Sequence, residues 1–199
     1  MEVRLVLGDQ LNTQHSWFKT TDNQVTYVLM EMRQETDYVV HHIQKVVAFF
    51  GAMRQFGQTL VQQGHRVYYL KIEDPENRQD LSRNLQYLLD TLKTQSFAYQ
   101  VPDEYRLDQQ LKGFCTTLKI PNRCVDTEHF LTHRDELADF FAGKKQMIME
   151  YFYRMMRKKF QVLMNGDQPE GGQWNFDKSN RNKWKGTPVI PAPYKNKTV

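Results

Sequence analysis

Val3-Arg4-Leu5-Val6-Leu7-Gly8-Asp9-Gln10-Leu11 opens the chain with a β-branched and apolar run that halts at Gly-Asp-Gln. A strand buried on both faces reads this way, hydrophobic through its length and closed by a turn residue. Open α/β sheets bind ligands outside the carboxyl ends of their strands. If 3–7 is the first and central strand, Gly8 and Asp9 stand at that rim. Gly8 lets a ligand approach the backbone, and Asp9 offers a carboxylate. The stretch also suits a turn glycine followed by an Asp that bonds its own backbone. Neither the dinucleotide fingerprint Gly-x-Gly-x-x-Gly nor a Walker phosphate loop follows it.

Moving outward, Val25–Met30 reads as a second strand, rich in β-formers. It ends at Glu31-Met32-Arg33-Gln34-Glu35, an acidic rim of its own. The intervening polar stretch holds Trp17 and Phe18, expected to fold back onto the core. A long helix is predicted over 41–63, its buried face drawn from Ile43, Val46, Val47, Phe50, Met53, Leu60 and Val61. Gly64 is its natural stop. A strand over 66–72, a helix carrying Leu81, Leu85, Leu88, Leu89 and Leu92, a strand over 96–101, a helix over 103–118 and a strand over 123–126 complete the pattern. Strand and helix alternate, which predicts an α/β fold: a Rossmann-like parallel five-stranded sheet with right-handed crossovers and helices on both faces.

After 126 the pattern changes. A short helix around Leu137, Phe140 and Phe141 ends at Gly143. A basic amphipathic helix over 144–160 follows, with Glu150, Arg154, Arg157, Lys158 and Gln161 on its polar face and the wide apolar face expected to be buried against the sheet or against something this chain lacks. From Asn165 the composition turns to Gly, Pro, Asn and Lys, as an extended linker does, with Trp174 and Phe176 docking its first part. The predicted division is 1–165 for the Rossmann-like domain and 166–199 for an interdomain segment.

Charge follows the same division. Residues 1–142 carry 15 Lys and Arg against 19 Asp and Glu, a net of −4; residues 143–199 carry 12 against 4, a net of +8. The basic quarter suits an anionic partner or a solvated helix face. No apolar run has membrane-spanning length and no signal peptide is legible at the start. Cys115 and Cys124 lack both disulfide-framework density and metal-ligand spacing, and are expected to be buried reduced thiols of a cytoplasmic protein.

Three stretches together resemble a known family: Leu7-Gly8-Asp9-Gln10-Leu11; Glu35-x-x-Tyr38-x-x-His41-His42 continuing to Ala52-Met53-Arg54-x-Phe56; and Met149-Glu150-Tyr151-Phe152-Tyr153-Arg154-x-Met156-Arg157 with Gly171-Gly172-x-Trp174-Asn175-Phe176-Asp177. The chain, to about Arg181, resembles the amino-terminal domain of the bacterial photolyase-related proteins, the iron–sulfur cryptochromes and (6-4) photolyases. The resemblance implies an antenna pigment, 6,7-dimethyl-8-ribityllumazine, held by this domain. It also implies FAD and an iron–sulfur cluster in a separate carboxy-terminal domain, and DNA or a light signal as the business of the whole protein. Two cysteines cannot supply a four-thiolate cluster. The chain is therefore expected to have no repair activity alone and to expose an apolar docking surface, with self-association of the fragment as one consequence.

The pigment site is expected to comprise Gly8, Asp9, Gln10, Met30, Glu35, Tyr38 and His41. Asp9 and Glu35 match the family's pigment-binding acids; Met30, Tyr38 and His41 are wall residues. Glu35 also suits a helix-capping carboxylate. Two further readings stand beside this one: a stand-alone regulatory domain binding a nucleotide or flavin-like ligand, and a nucleic-acid adaptor using 144–185. His41 and His42 read as helix-start residues. His129 and His133, four apart, are the only histidine pair whose spacing admits a shared helix face.

Overall fold

The computed structural model of the protein describes residues 1–194, so residues 195–199 of the expected linker lie outside the described residues. Five parallel strands, β1 (Glu2–Leu5), β2 (Val25–Met30), β3 (Arg66–Leu70), β4 (Ser96–Gln100) and β5 (Asn122–Val125), form one sheet in the order β3-β2-β1-β4-β5. β1 is central, with Val3 opposite Thr26 on one side and Phe97 on the other. The chain builds outward through β2 and β3, then crosses to β4 on the far side of β1. The topological switch point, where open α/β sheets leave a crevice, therefore lies between β1 and β4.

Local hydrogen bonds explain where the strands stop. β1 ends two residues earlier than its apolar run because the Leu7 N–H donates to Gln10 Oε1 (3.0 Å). β3 ends at Leu70 because the next two N–H groups are captured by side chains, Lys71 by Asp74 (2.7 Å) and Ile72 by Glu31 (3.1 Å). β2, with a buried residue at all six positions, runs over the span its sequence predicts.

The helices are α1 (Arg33–Thr36), α2 (Ile43–Gln62), α3 (Leu81–Thr91) and α4 (Tyr105–Thr117). One core joins Leu81, Leu85 and Leu88 of α3 and Leu111 of α4 to Val3, Leu5, Val28, Leu70 and Phe97 of the sheet. A second joins Phe56 and Leu60 of α2 to Val6, Tyr27 and Leu29, with Trp17 and Phe18. The alternation of strand and helix fails at one place. β1 and β2 are linked by a loop whose only regular piece is a 3-10 turn, Ser16–Phe18. Trp17 and Phe18 do fold back onto the core, as their setting in the polar loop suggests, each 7% exposed. Phe18 packs edge-on to Phe56, and the Tyr27 hydroxyl donates to the Trp17 carbonyl (2.5 Å).

Ile43, Val47 and Val61 were expected on the buried face of α2 but are 68%, 63% and 56% exposed. The buried residues are Phe50, Met53, Phe56, Gly57 and Leu60. At 3.6 residues per turn the other three lie about 90° or more from the centre of that stripe.

The chain divides into two compact units, Met1–His133 and Arg134–Val199, so the division expected at 165/166 falls inside the second. Within that unit, α5 (Glu136–Phe141) and α6 (Met149–Phe160) share a cluster of rings: Phe152 lies 5.2 Å from Phe140 and 6.2 Å from Phe141. A two-residue hairpin, β6 (Met164–Asn165) with β7 (Gln168–Pro169), and a short α7 (Asp177–Asn180) follow, where an extended linker was expected. The apolar side of α6, expected to lie against the sheet or against something this chain lacks, is left largely uncovered by the described residues. Only Phe152 and Arg157 are buried, while Met149, Tyr151 and Tyr153 are about half exposed. Arg157, assigned to the polar face, turns inward to donate to the carbonyls of Val162 and Leu163. Glu150 and Arg154 form the i, i+4 pair their spacing suggests, at 2.9 Å. Where buried thiols were expected, Cys115 of α4 is half-buried and Cys124 is exposed on β5, an edge strand with no second neighbour among the described residues. Among the described residues no helix is long and apolar enough to cross a membrane.

Candidate ligand-binding site

The carboxyl ends of β1 and β2 and the start of α4 enclose a cavity of about 200 Å³. Its floor is Leu5–Leu7 and Met30. Its walls are Met32, Val46, Phe49 and Met53 on one side and Leu81 and Leu107 on the other. The polar groups stand at the mouth: Asp9, Glu35, Thr36, His41, Lys45, Glu104 and Arg106. An apolar slot with a few placed polar groups is the usual form of a small-molecule site.

Asp9 follows β1 and Glu35 lies in α1, just past the end of β2, so the pairing of β1 with β2 brings the two carboxylates to one mouth. Both carboxyls are pushed above their ordinary range. For Asp9 the chief cause is loss of water around the carboxyl, opposed by its own backbone N–H; Asp103 and Glu104 add like charge, and His129 acts the other way. For Glu35 the causes are burial first, then the charges of Asp9 and Glu104, against Arg106. Carboxylates that crowd each other in this way favour a proton, or a ligand with N–H and O–H donors.

One wall is a relay of rings and cations. The Arg106 guanidinium lies 4.4 Å from the centre of the Tyr38 ring, which meets His41 edge-on at 5.0 Å. Lys45 Nζ donates to His41 Nδ1 (3.2 Å), and Arg106 Nε donates to Glu104 Oε1 (2.6 Å). Gly8 contributes by what it lacks. A Cβ there would overlap the Phe49 ring and stand 2.8 Å from Met53 Sδ. The space opened by this glycine is filled by α2 side chains, where the sequence reading reserved it for a ligand.

Six of the seven residues assigned from sequence, Gly8, Asp9, Met30, Glu35, Tyr38 and His41, line this one cavity. Gln10 does not. It is fully buried, accepts from the Leu7 N–H and donates to the carbonyls of Gln100 (3.2 Å) and Val101 (3.3 Å), stitching the end of β1 to that of β4. Nor does Glu35 cap the long helix: His42 is the N-cap of α2, accepting from the Gln44 N–H (3.2 Å). Glu104, Arg106 and Phe49 were missed. The first two follow β4 across the switch point and were legible as strand-end residues. Phe49 gave no signal beyond its place in an apolar helix. His129 and His133 face separate carboxylates, Asp103 (3.8 Å) and Asp126 (3.6 Å), and no metal-binding group is found among the described residues.

Beside the cavity, Glu31 is buried completely and fixes the geometry of β2, β3 and α2. It accepts two bonds from Arg54 (2.6 and 2.7 Å), one from the Tyr69 hydroxyl (2.8 Å) and one from the Ile72 N–H.

Sheet order and crevice together define a doubly wound α/β domain whose switch point carries an acidic mouth in place of a phosphate loop. The chain belongs to the deoxyribodipyrimidine photo-lyase-related protein family, whose profile matches residues 4–198. It is similar to a (6-4) photolyase of Agrobacterium fabrum, 38% identical over 178 residues. That match covers 89% of this chain but only 35% of the photolyase, so the chain spans about a third of that relative's length. It is also similar, at 24% identity over 141 residues and 69% of each chain, to the uncharacterized protein R852 of Acanthamoeba polyphaga mimivirus.

Proposed function

We propose that this chain is the amino-terminal, antenna-binding domain of a photolyase-related flavoprotein, and that its cavity holds 6,7-dimethyl-8-ribityllumazine. The observation that carries the reading is the meeting of Asp9 and Glu35 at the mouth of an apolar slot in a chain of this family. The donor and acceptor set suits such a ligand. Met30, Phe49 and Met53 offer apolar contact to a flat ring, and the two carboxylates accept from ring N–H and ribityl hydroxyl groups. The Phe49 ring over Gly8 would move aside to enlarge the slot.

When bound, the pigment supplies absorption of near-ultraviolet or blue light and passes the excitation on. The task of this chain is to hold and orient it and to keep water from its ring. FAD, the iron–sulfur cluster and the photochemistry on a flipped-out DNA lesion belong, in this reading, to a further domain of a cytoplasmic protein. That domain and DNA are the partners of this one.

The test is titration of the purified chain with the lumazine, followed by absorption and fluorescence. Saturable binding is expected, weakened about tenfold or more in the Asp9→Asn, Glu35→Gln double variant, as for loss of about 1.4 kcal/mol of hydrogen bonding. Equal binding by parent and variant, or none by the parent, would overturn the assignment. The relative in the mimivirus, matched over equal shares of both chains, favours a second reading: a domain of this size acting by itself on a similar ligand. Activity of the isolated chain in repair of a (6-4) lesion with added FAD is not expected under either.

A further inference from the structure

Each helix that begins at the cavity lining has at least one of its first N–H groups taken by a side chain of this chain; in α1 the Arg33 N–H donates to Gln79 Oε1 (3.0 Å). In α2 the His42 ring accepts from the Gln44 N–H. In α3 Asp80 accepts from the Arg83 N–H (2.9 Å), and the Leu81 N–H is held by Gln34 (2.9 Å). In α4 Glu104 accepts from the Arg106 N–H (3.4 Å). The strand that would ordinarily feed a phosphate-binding helix, β1, feeds none; its connection holds only the 3-10 turn at Ser16–Phe18. Phosphate binding in doubly wound folds rests on free N–H groups at a helix start and on the positive end of its dipole. Here neither is on offer at the central strand, and two of the four helix starts around the cavity, those of α3 and α4, are capped by carboxylates.

The side chains agree. Asp9, Glu35 and Glu104 share the mouth with two cations: Arg106 is paired with Glu104 and lies over Tyr38, and Lys45 Nζ donates to His41 Nδ1, so carboxylates outnumber cations three to two. We infer that the site admits an uncharged polyol-bearing ring and rejects the phosphate ester of the same ring, so that Asp9 and Glu35 determine specificity as well as binding. The inference rests on the proposed function for the identity of the ring, but its physical cause is the charge of the mouth.

The experiment compares the lumazine with its ribityl 5′-phosphate on the full chain at pH 7.5. The ester is expected to bind about tenfold more weakly or worse, equivalent to about 1.4 kcal/mol. The gap should narrow in 0.5 M salt, where charges are screened, and in the Asp9→Asn, Glu35→Gln variant. Equal or tighter binding of the ester overturns the inference. So does a gap that neither salt nor the variant changes, because steric exclusion is indifferent to both. In parallel, inorganic pyrophosphate is added to labelled chain while the amide resonances of Gly8, Asp9, Glu35 and Arg106 are followed. Saturable shifts there overturn the inference even if no ring binds. Silent amides together with no binding of the lumazine overturn the proposed function and leave the anion-rejecting mouth standing.

Discussion

At the residue scale, three glutamates and one aspartate near the strand ends are held in opposite ways. Glu35 and Asp9 hold their protons above the ordinary values of 4.5 and 3.8, chiefly through lost hydration. The folded state therefore binds more protons than the unfolded chain across that window. The stability this contributes is fully present below the ordinary values and drains away as pH rises through the raised ones. Glu31 has the opposite sign. Burial would raise its pKa, but the bonds from Arg54, Tyr69 and Ile72 outweigh burial and lower it. Its stability is present above 4.5 and lost as pH falls through the lowered value. Glu104, bonded to Arg106, is also lowered but stands near the surface, where such pairs contribute little. Glu35→Gln should therefore stabilise the protein at pH 7.5 by about 0.5–2 kcal/mol, the range common for single stabilising substitutions. The gain should vanish near pH 4. Urea denaturation at the two pH values checks it, and a loss at pH 7.5 would show that Glu35 is a structural residue.

At the element scale, the link between β1 and β2 behaves as core although it has a loop's composition. Trp17 and Phe18 cover a face of the sheet that a crossover helix would otherwise cover, and both lie against Tyr27. Trp17→Ala should cost about 3–5 kcal/mol, as for a large ring removed from a packed interior. Tyr151→Ala, from the exposed side of α6, should lie within about 0.5 kcal/mol of the parent. Thermal denaturation of the two variants side by side decides this.

This contrast also shows what a sequence can convey. β2 could be read to the residue because every position is buried and the run has no competing period. Gly8, Asp9 and Glu35 could be placed at one rim because strand ends in a parallel sheet share an edge. The length of β1 could not be read, since it depends on Gln10 taking the Leu7 N–H, a bond with no periodic signature. The inward turn of Arg157 was equally hidden. Helical spacing put it with Arg154 and Lys158, and only the carbonyls of Val162 and Leu163 give it a reason to be buried. Glu104 and Arg106 were legible in principle, because β4 was found and its end lies at the same rim.

At the scale of the whole molecule, apolar side chains remain uncovered in a run beside the candidate site: Val39, Val40, Ile43 and Val47 are 50%, 103%, 68% and 63% exposed. Clustered exposure of this kind marks surfaces that associate. The chain should show concentration-dependent self-association in sedimentation velocity, and the Val40→Lys, Ile43→Lys variant should shift it toward monomer with little change in stability. A parent that stays monomeric at high concentration would sink this expectation. The basic balance of residues 143–199 acts at the same scale. In that part of the chain Arg154, Arg157 and Lys158 all lie within 6 Å of the Trp174 ring, at 5.3, 5.2 and 5.8 Å.

The position of β1 at the centre of the sheet has a consequence for synthesis. Its partner on one side is β2, some twenty residues later, but its partner on the other is β4, whose first paired residue is Ser96. Gln10, which closes the end of β1, must wait for the carbonyls of Gln100 and Val101. The cavity needs Leu107 as well. At about 5–20 residues per second, the ribosome delivers that stretch roughly 5–20 s after it delivers Asp9. Until then the central strand of the sheet has β2 alone beside it, and the nascent chain depends on β2 and the Trp17–Phe18 flap to keep it covered.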